Sequence, residues 1–199
     1  MTRVRVSETR ALSLALAACC CSTTTGCGTY SLLRSADTLS KGQFEISAAI
    51  TGNTLPEVLG AVQGAVGVTN WLELGAQYEV YSALAQVRFG VLSSEKHGVA
   101  LALAAGGGFA SAWTSAWRSQ GTVLGGFTIG RRWSYFELYL GDKCLFLIPD
   151  SYFINTGKLG VRFTLWKHLL LGAEAGATLH HGYLVVGEGA LQLGVNWSL

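Results

Sequence analysis

Residues 72–80 read Leu-Glu-Leu-Gly-Ala-Gln-Tyr-Glu-Val, a stretch in which apolar side chains alternate with polar ones or with glycine. Successive side chains of a β-strand point to opposite faces, so this alternation puts an apolar row and a polar row on one strand. The apolar row is Leu72, Leu74, Ala76, Tyr78 and Val80, and the polar row is Glu73, Gln77 and Glu79. The pattern predicts a strand whose two faces meet different surroundings.

The same period-two alternation recurs from Gln43 to the C-terminus. It predicts an all-β chain of about ten antiparallel strands, within a range of roughly eight to twelve. Residues 99–110 and 122–130 are rich in small apolar residues and alternate less clearly. The remaining predicted strands cover residues 43–50, 62–68, 86–91, 135–140, 158–165, 169–179 and 191–199.

The composition indicates a membrane protein without membrane helices. Hydrophobic residues make up 50% of the 199 residues and charged residues only 13%, against roughly 25% charged in ordinary globular domains. The longest apolar run, residues 11–21, is shorter than the roughly 18 residues that a spanning helix needs. A closed barrel is the other way to satisfy backbone groups in lipid, so we expect an up-and-down transmembrane β-barrel. The alternative is a soluble β-sandwich with an apolar interior.

The connections between predicted strands alternate in length. Short connections at residues 69–70, 93–98, 131–132 and 166–168 fit periplasmic turns, and longer ones at residues 52–57, 111–120, 142–150 and 180–187 fit outer loops. The connection at Tyr81 and Ser82 is short for an outer loop. Trp71, Trp133, Trp166 and Trp197 adjoin the turn end, as expected of an interfacial girdle, with core packing as the alternative.

The N-terminus has the layout of a secretory signal peptide over residues 1–18, with Arg3, Arg5 and Arg10 before the apolar residues 11–18. The following run Leu16-Ala17-Ala18-Cys19 resembles the lipobox of bacterial lipoproteins, and this resemblance implies lipidation of Cys19. The alternative is ordinary cleavage nearby. We expect residues 19–41 to form a flexible tether and residues 42–199 to form the barrel.

The other four cysteines are Cys20, Cys21, Cys27 and Cys144. Their spacing contains no pair of CxxC motifs that would indicate a metal site. Export would place them in an oxidising compartment, where the sequence alone does not choose among their possible pairings.

The last strand carries a second resemblance. Residues 192–199, Gln-Leu-Gly-Val-Asn-Trp-Ser-Leu, resemble the assembly signal of outer-membrane barrel proteins through Gln192, Gly194, Trp197 and Leu199, although Leu199 replaces the commoner phenylalanine. The chain from residue 43 onward thus resembles small porin-like barrels. The resemblance implies the outer membrane of a Gram-negative bacterium, contact with its lipids and recognition by the barrel-assembly machinery. It specifies no oligomeric state.

The polar rows of the predicted strands carry charges of both signs. These residues are Glu45, Glu73, Arg88, Glu137, Lys158, Arg162 and Glu174. Isolated buried charge is very costly, so we expect these side chains to pair inside the barrel. A salt network that plugs a narrow barrel is the favoured interpretation, and a polar lumen that passes small solutes is the alternative.

The sequence contains one set of candidate catalytic residues and no motif that indicates a cofactor. His180, His181 and Glu188 lie near a predicted outer loop, and no serine accompanies the histidines at the spacing of a lipid-modifying barrel hydrolase. A net charge of +2 is too small to indicate nucleic-acid binding. We expect a non-catalytic structural or surface-interaction role, with a narrow channel or a lipid-modifying enzyme as alternatives.

The lipobox resemblance makes a direct prediction about Cys19. Cys19→Ala should abolish incorporation of radiolabelled fatty acid, because the variant lacks the thiol that would carry the lipid. Cys20→Ala is the matched control and should keep the label. Label retained by Cys19→Ala would show that another residue is the acylation site.

Overall fold

The computed structural model describes residues 34–53, 58–80, 82–111, 119–148, 151–166, 168–180 and 183–198. These residues form ten strands and a one-turn helix α1 at Ser94–His97. The strands are β1 (Gln43–Asn53), β2 (Val58–Gly67), β3 (Leu72–Glu79), β4 (Ser82–Leu92), β5 (Ala100–Ser111), β6 (Ser119–Arg132), β7 (Phe136–Ile148), β8 (Tyr152–Leu165), β9 (Leu169–His180) and β10 (Tyr183–Ser198). The predicted signal peptide, Cys19, Cys20, Cys21 and Cys27 lie outside the described residues.

The ten strands close into a barrel in which each strand pairs antiparallel with its neighbours in sequence. β1 and β10 complete the ring, with a register that runs from Gln43 opposite Ser198 to Asn53 opposite Glu188. Closure leaves no strand with an unpaired edge. The structure confirms the predicted all-β, antiparallel up-and-down barrel and its strand number.

Alternation along the strands sorts the side chains between the lumen and the outer wall. In β1 the outward Ile50 is 63% exposed, whereas the inward Thr51 beside it is 1% exposed. In β3 the inward Glu73, Gln77 and Glu79 are all buried. The barrel therefore has a polar interior and an apolar outer wall, the reverse of a soluble protein. Among the described residues, no helix is long and apolar enough to cross a membrane.

Two predicted outer loops were wrong in their extent. Residues 142–148 belong to strand β7, so only residues 149–151 separate β7 from β8, and only residues 181–182 separate β9 from β10. Lys143 was mistaken for a loop residue because it is charged, but it points into the polar lumen and is buried. The register of β10 also shifts between Leu184 and Val186, and such a bulge interrupts period-two alternation.

We call the end where β1 begins the proximal end and the opposite end the distal end. Residues 34–41 of the predicted flexible tether lie across the proximal mouth, and Arg34, Ser35 and Ala36 are buried there. A Cβ on Gly67 would lie 2.1 Å from the Ser40 carbonyl oxygen, so this glycine permits the close approach of the segment. Residues 34–41 are thus held at the mouth, where their polar groups find partners. The rest of the tether expected at residues 19–41 lies outside the described residues.

Tyr139 fills the lumen by occupying the space above a glycine. Tyr139 and Gly160 are register partners on β7 and β8, and the tyrosine hydroxyl donates a hydrogen bond to Glu174 Oε1 at 2.9 Å. A Cβ on Gly160 would lie 2.3 Å from Tyr139 Cζ. The phenol ring can therefore lie flat across the strand only because residue 160 has no side chain.

Gly160→Ala should lower the free energy of unfolding by about 1–3 kcal/mol, the usual cost of overpacking. Gly60→Ala on β2 is the matched control, because a Cβ there would meet no atom within 4 Å. Urea unfolding monitored by tryptophan fluorescence would measure both variants. Equal stability of the two variants would contradict the packing of Tyr139 on Gly160.

Candidate functional site

The proximal half of the lumen contains an ion-pair cluster of three arginines and two glutamates. Arg162 holds Glu45 through both terminal nitrogens, at 3.1 and 3.2 Å. Arg88 Nη1 lies 3.0 Å from Glu73 Oε1. Both carboxylates and both guanidinium groups are buried. We call this group, together with Arg34, the proximal charge cluster.

Arg34 bridges the two glutamates of the cluster from outside the strands. Its Nη2 lies 3.3 Å from Glu45 Oε1, and its Nε lies 2.7 Å from Glu73 Oε1 at an angle outside hydrogen-bond geometry. Each buried carboxylate therefore has two cationic partners, which offsets part of the cost of removing it from water. The side chain of Arg34 thereby connects the segment at the mouth to the wall of the barrel.

The rest of residues 34–41 is held to the mouth by hydrogen bonds to several strands. Glu137 accepts hydrogen bonds from the Ser35 hydroxyl and the Ala36 backbone N–H, each at 2.8 Å. Glu73 also accepts one from Leu39 N–H at 2.9 Å. Asp37 accepts one from the backbone N–H of Ser94 at 3.0 Å. These contacts involve β3, β7 and the start of α1, so the segment spans the mouth.

A second polar cluster occupies the distal half. Lys158 Nζ lies 3.2 Å from Glu188 Oε2, and both side chains are fully buried. Glu188 also accepts a hydrogen bond from the Thr178 hydroxyl at 2.6 Å. Lys143 donates to Gln77 Oε1 at 3.2 Å. Polar side chains on strands far apart in sequence are thus paired across the lumen.

Two spaces of very different size adjoin Arg34. A cavity of about 800 Å³ opens at the proximal mouth, with Arg34, Glu45 and Arg162 in its wall. Deeper in the barrel, a void of about 10 Å³ lies between Arg34, Arg88 and Lys143, which is room for roughly one water molecule. Arg34 contributes to both linings, so it stands between the open mouth and the filled part of the lumen.

All seven lumen residues named from the sequence lie buried inside the barrel. They do not form one network: Glu45, Glu73, Arg88 and Arg162 belong to the proximal charge cluster, while Lys158 pairs distally with Glu188. Sequence reasoning missed Arg34 and Lys143. The seven residues comprise four acids and three bases, and this surplus of acid was a signal that a further cation was needed.

The catalytic candidates are not brought together among the described side chains. Glu188 lies inside the lumen with Lys158 and Thr178. The side chain of His180 and all of His181 lie outside the described residues. No group of three or more metal-ligating side chains occurs within the described ranges. The free thiol of Cys144 is partly buried in β7.

The residues of the C-terminal assembly signal lie in the seam that closes the barrel. Gln192 donates to the Ser47 hydroxyl at 2.7 Å, and Trp197 stacks on Phe44 with ring centroids 6.0 Å apart. A Cβ on Gly194 would lie 2.7 Å from Ser47 Cβ. Leu199 lies outside the described residues. The signal residues therefore support the pairing of β10 with β1, and their recognition by assembly machinery stays a prediction.

Exposed aromatic side chains surround the proximal end. The structure places Trp71, Trp133, Trp166 and Trp197 there, and each is at least 37% exposed. Trp133 stacks on Phe136 with centroids 5.4 Å apart, and Arg131 lies 5.2 Å from the Trp133 ring centroid. An amphipathic ring beside a cation suits the boundary between hydrocarbon and water.

Comparison with known proteins finds similarity in architecture. The chain is similar to a designed transmembrane β-barrel (14% identity, TM-score 0.39, 80% of this chain and 99% of that one). It is also similar to the N-terminal β-barrel domain of OprF from Pseudomonas aeruginosa (14% identity, TM-score 0.37, 80% of this chain and 100% of that one). A third similar structure is Ail, the attachment invasion locus protein of Yersinia pestis (10% identity, TM-score 0.31, 79% of this chain and 99% of that one). No protein-family model matches the chain, and no curated protein sequence does.

Arg34→Ala should lower the free energy of unfolding by about 1–3 kcal/mol, because it leaves buried carboxylates short of a partner. Arg132→Ala is the matched control, since Arg132 is 45% exposed. Its partner Glu137 would still accept hydrogen bonds from Ser35 and Ala36. An exposed pair contributes only about 0–1 kcal/mol. Urea unfolding from lipid vesicles would compare them, and equal losses would show that Arg34 does not hold the cluster.

Proposed function

We propose that the chain is an integral outer-membrane barrel, anchored through Cys19, with a closed lumen and a structural or surface-interaction role. The main support for this proposal is the position of Arg34 between Glu45 and Glu73, where it connects residues 34–41 at the mouth to the proximal charge cluster inside. Contacts of this kind stabilise a filled barrel and obstruct a continuous water path.

The outer wall supports residence in a membrane. Outward residues of neighbouring strands are large, apolar and substantially exposed, such as the register partners Leu191 at 69% and Ile50 at 63%. A monomer in water rarely exposes a continuous apolar patch of this kind, whereas a barrel in lipid requires one. The exposed tryptophans around the proximal end fit one boundary of this apolar outer wall. Together with the resemblance of the last strand, β10, to the assembly signal of outer-membrane barrel proteins, these features favour the outer membrane.

The lumen supports a closed state over a narrow channel. Charged side chains pair across the lumen, as Lys143 does with Gln77 and Lys158 with Glu188, and Tyr139 covers Gly160. An apolar cluster that includes Leu124, Leu145 and Ile154 fills a further part of the interior. Barrels of roughly eight strands can be filled by their side chains, and a ring of ten leaves little more room. The proposal assigns no catalytic step, since Glu188 is engaged by Lys158 and Thr178.

Planar-bilayer recording tests the closed lumen. The purified full-length protein should produce no discrete conductance steps, because the proximal charge cluster and residues 34–41 occupy the path. Regular steps of uniform size in repeated insertions would favour the channel instead.

Insertion must be shown in the same preparation. The protein should float with lipid vesicles, and its gel mobility in SDS should change on boiling, as expected of a folded barrel. If a variant lacking residues 1–18 is instead a folded monomer in buffer without detergent, the membrane proposal is wrong.

A further inference from the structure

Over the strand residues that the structure describes, the outer wall contains one polar interruption, formed by the side chains of Asp142, Cys144 and Asn155 on β7 and β8. Asn155 Nδ2 donates to Asp142 Oδ2 and to Cys144 Sγ, each at 3.1 Å. Their inward neighbours Lys143 and Thr156 are buried in the lumen. By strand alternation the three side chains therefore face outward, on the surface where neighbouring residues are apolar.

This polar group sits in a depression of the wall. Cys144 pairs in register with Gly125 on one side, and Asp142 pairs with Gly157 on the other. A Cβ on either glycine would meet no atom within 4 Å. Larger outward side chains surround the depression: Phe127, Leu140, Phe146, Phe153 and Leu159. We call Asp142, Cys144 and Asn155, with the two glycines, the polar notch.

The position of the polar notch makes it costly in lipid. Asp142 is the middle residue of β7 (Phe136–Ile148), which corresponds to the middle of the apolar belt. Asp142 Oδ1 is buried without a hydrogen-bond partner among the described residues, and Asp142 borders the small void that Arg88 and Lys143 also line, so a neighbouring chain would have to reach the other carboxylate oxygen, Oδ2. Ionisable groups at this depth are rare and normally pair within the protein or with a protein partner. In the outer wall the Asp142 carboxylate has one hydrogen-bond donor, the Asn155 amide, and a donor from a second chain would offset more of the cost of holding this group in lipid.

We propose that the polar notch is the contact surface for a second copy of this chain in the membrane. The notch contains both a donor, the Asn155 amide, and an acceptor, the Asp142 carboxylate. A two-fold interface places residue i of one copy against residue j of the other and the reverse, so Asn155 of each copy donates to Asp142 of its partner. Lipid acyl chains offer neither group.

The flanking glycines complete the fit. Small residues allow the backbones of membrane segments to approach closely, and polar side chains then hydrogen-bond across the contact. In the dimer, Asn155 exchanges its weak N–H···S contact with Cys144 for an N–H···O bond to the partner's carboxylate. Asp142 Oδ2, which accepts from Asn155 of its own chain, also accepts the bond from the partner, since a carboxylate oxygen has two lone pairs.

Native mass spectrometry from lipid nanodiscs tests the dimer with the full-length protein. The wild type should have the mass of two chains. Gly157→Leu should fill the notch, raise the dimer dissociation constant by at least about tenfold, and give mainly single chains. Gly60→Leu is the matched control, because Gly60 is an outward glycine with equally open space on β2, across the ring from β7. It should remain dimeric.

The double substitution Asp142→Leu with Asn155→Leu gives a second route, because it removes the polar contact without adding bulk to the glycine positions, and it should also yield single chains. Single wild-type chains in nanodiscs, persistent dimers of Gly157→Leu, or a different protein bound at the notch would each overturn the proposal. The inference rests on the proposed membrane location. Failure of the wild type to float with vesicles would refute that location, whereas a floating, heat-modifiable single chain would refute only the dimer.

Discussion

The closure of the ring between β1 and β10 is the constraint on which the rest of the structure depends. Once the register from Gln43–Ser198 to Asn53–Glu188 is formed, every strand has two partners, and backbone groups need neither water nor another chain. Closure also separates an inside from an outside. Each side chain must then suit either a narrow shared lumen or the outer wall, and strand alternation decides which.

Strand alternation directs several charged side chains into one lumen, so their charges must be balanced there. Glu45 and Glu73 are buried inside the ring, so each needs cations within reach. The strands supply Arg88 and Arg162, and Arg34 enters from the N-terminal side to bridge both carboxylates. One set of ion pairs thus stabilises the barrel wall and also holds residues 34–41 across the mouth. The stability of the lumen and its obstruction therefore have the same physical origin.

The outer wall follows the opposite rule, and its exception is informative. Apolar side chains suit lipid everywhere that the belt is continuous, but Asp142 and Asn155 keep hydrogen-bonding groups at mid-depth beside two glycines. Such groups cannot be satisfied by hydrocarbon, so they favour contact with protein. The proposed closed lumen would direct the interactions of this barrel to its outer wall and its ends.

Alternation in residues such as 72–80 was enough to predict the strands, their two faces and the seven buried charges, because side-chain direction in a strand depends only on position along it. The errors occurred where polarity was equated with a loop. At residues 142–150, Lys143 is polar because it faces the lumen, and Asp142 is polar on the outer wall. Near residue 185 a bulge interrupted the alternation.

By itself, the sequence determined a barrel of about ten strands with a polar inner face, because these features repeat locally and need no knowledge of distant contacts. The tertiary structure alone decided which charges meet, that residues 34–41 enter the mouth, and that Asp142, Cys144 and Asn155 form one notch. Those outcomes depend on the register between strands and on distances across the closed ring. Residues far apart along the chain become neighbours only when the ring is complete.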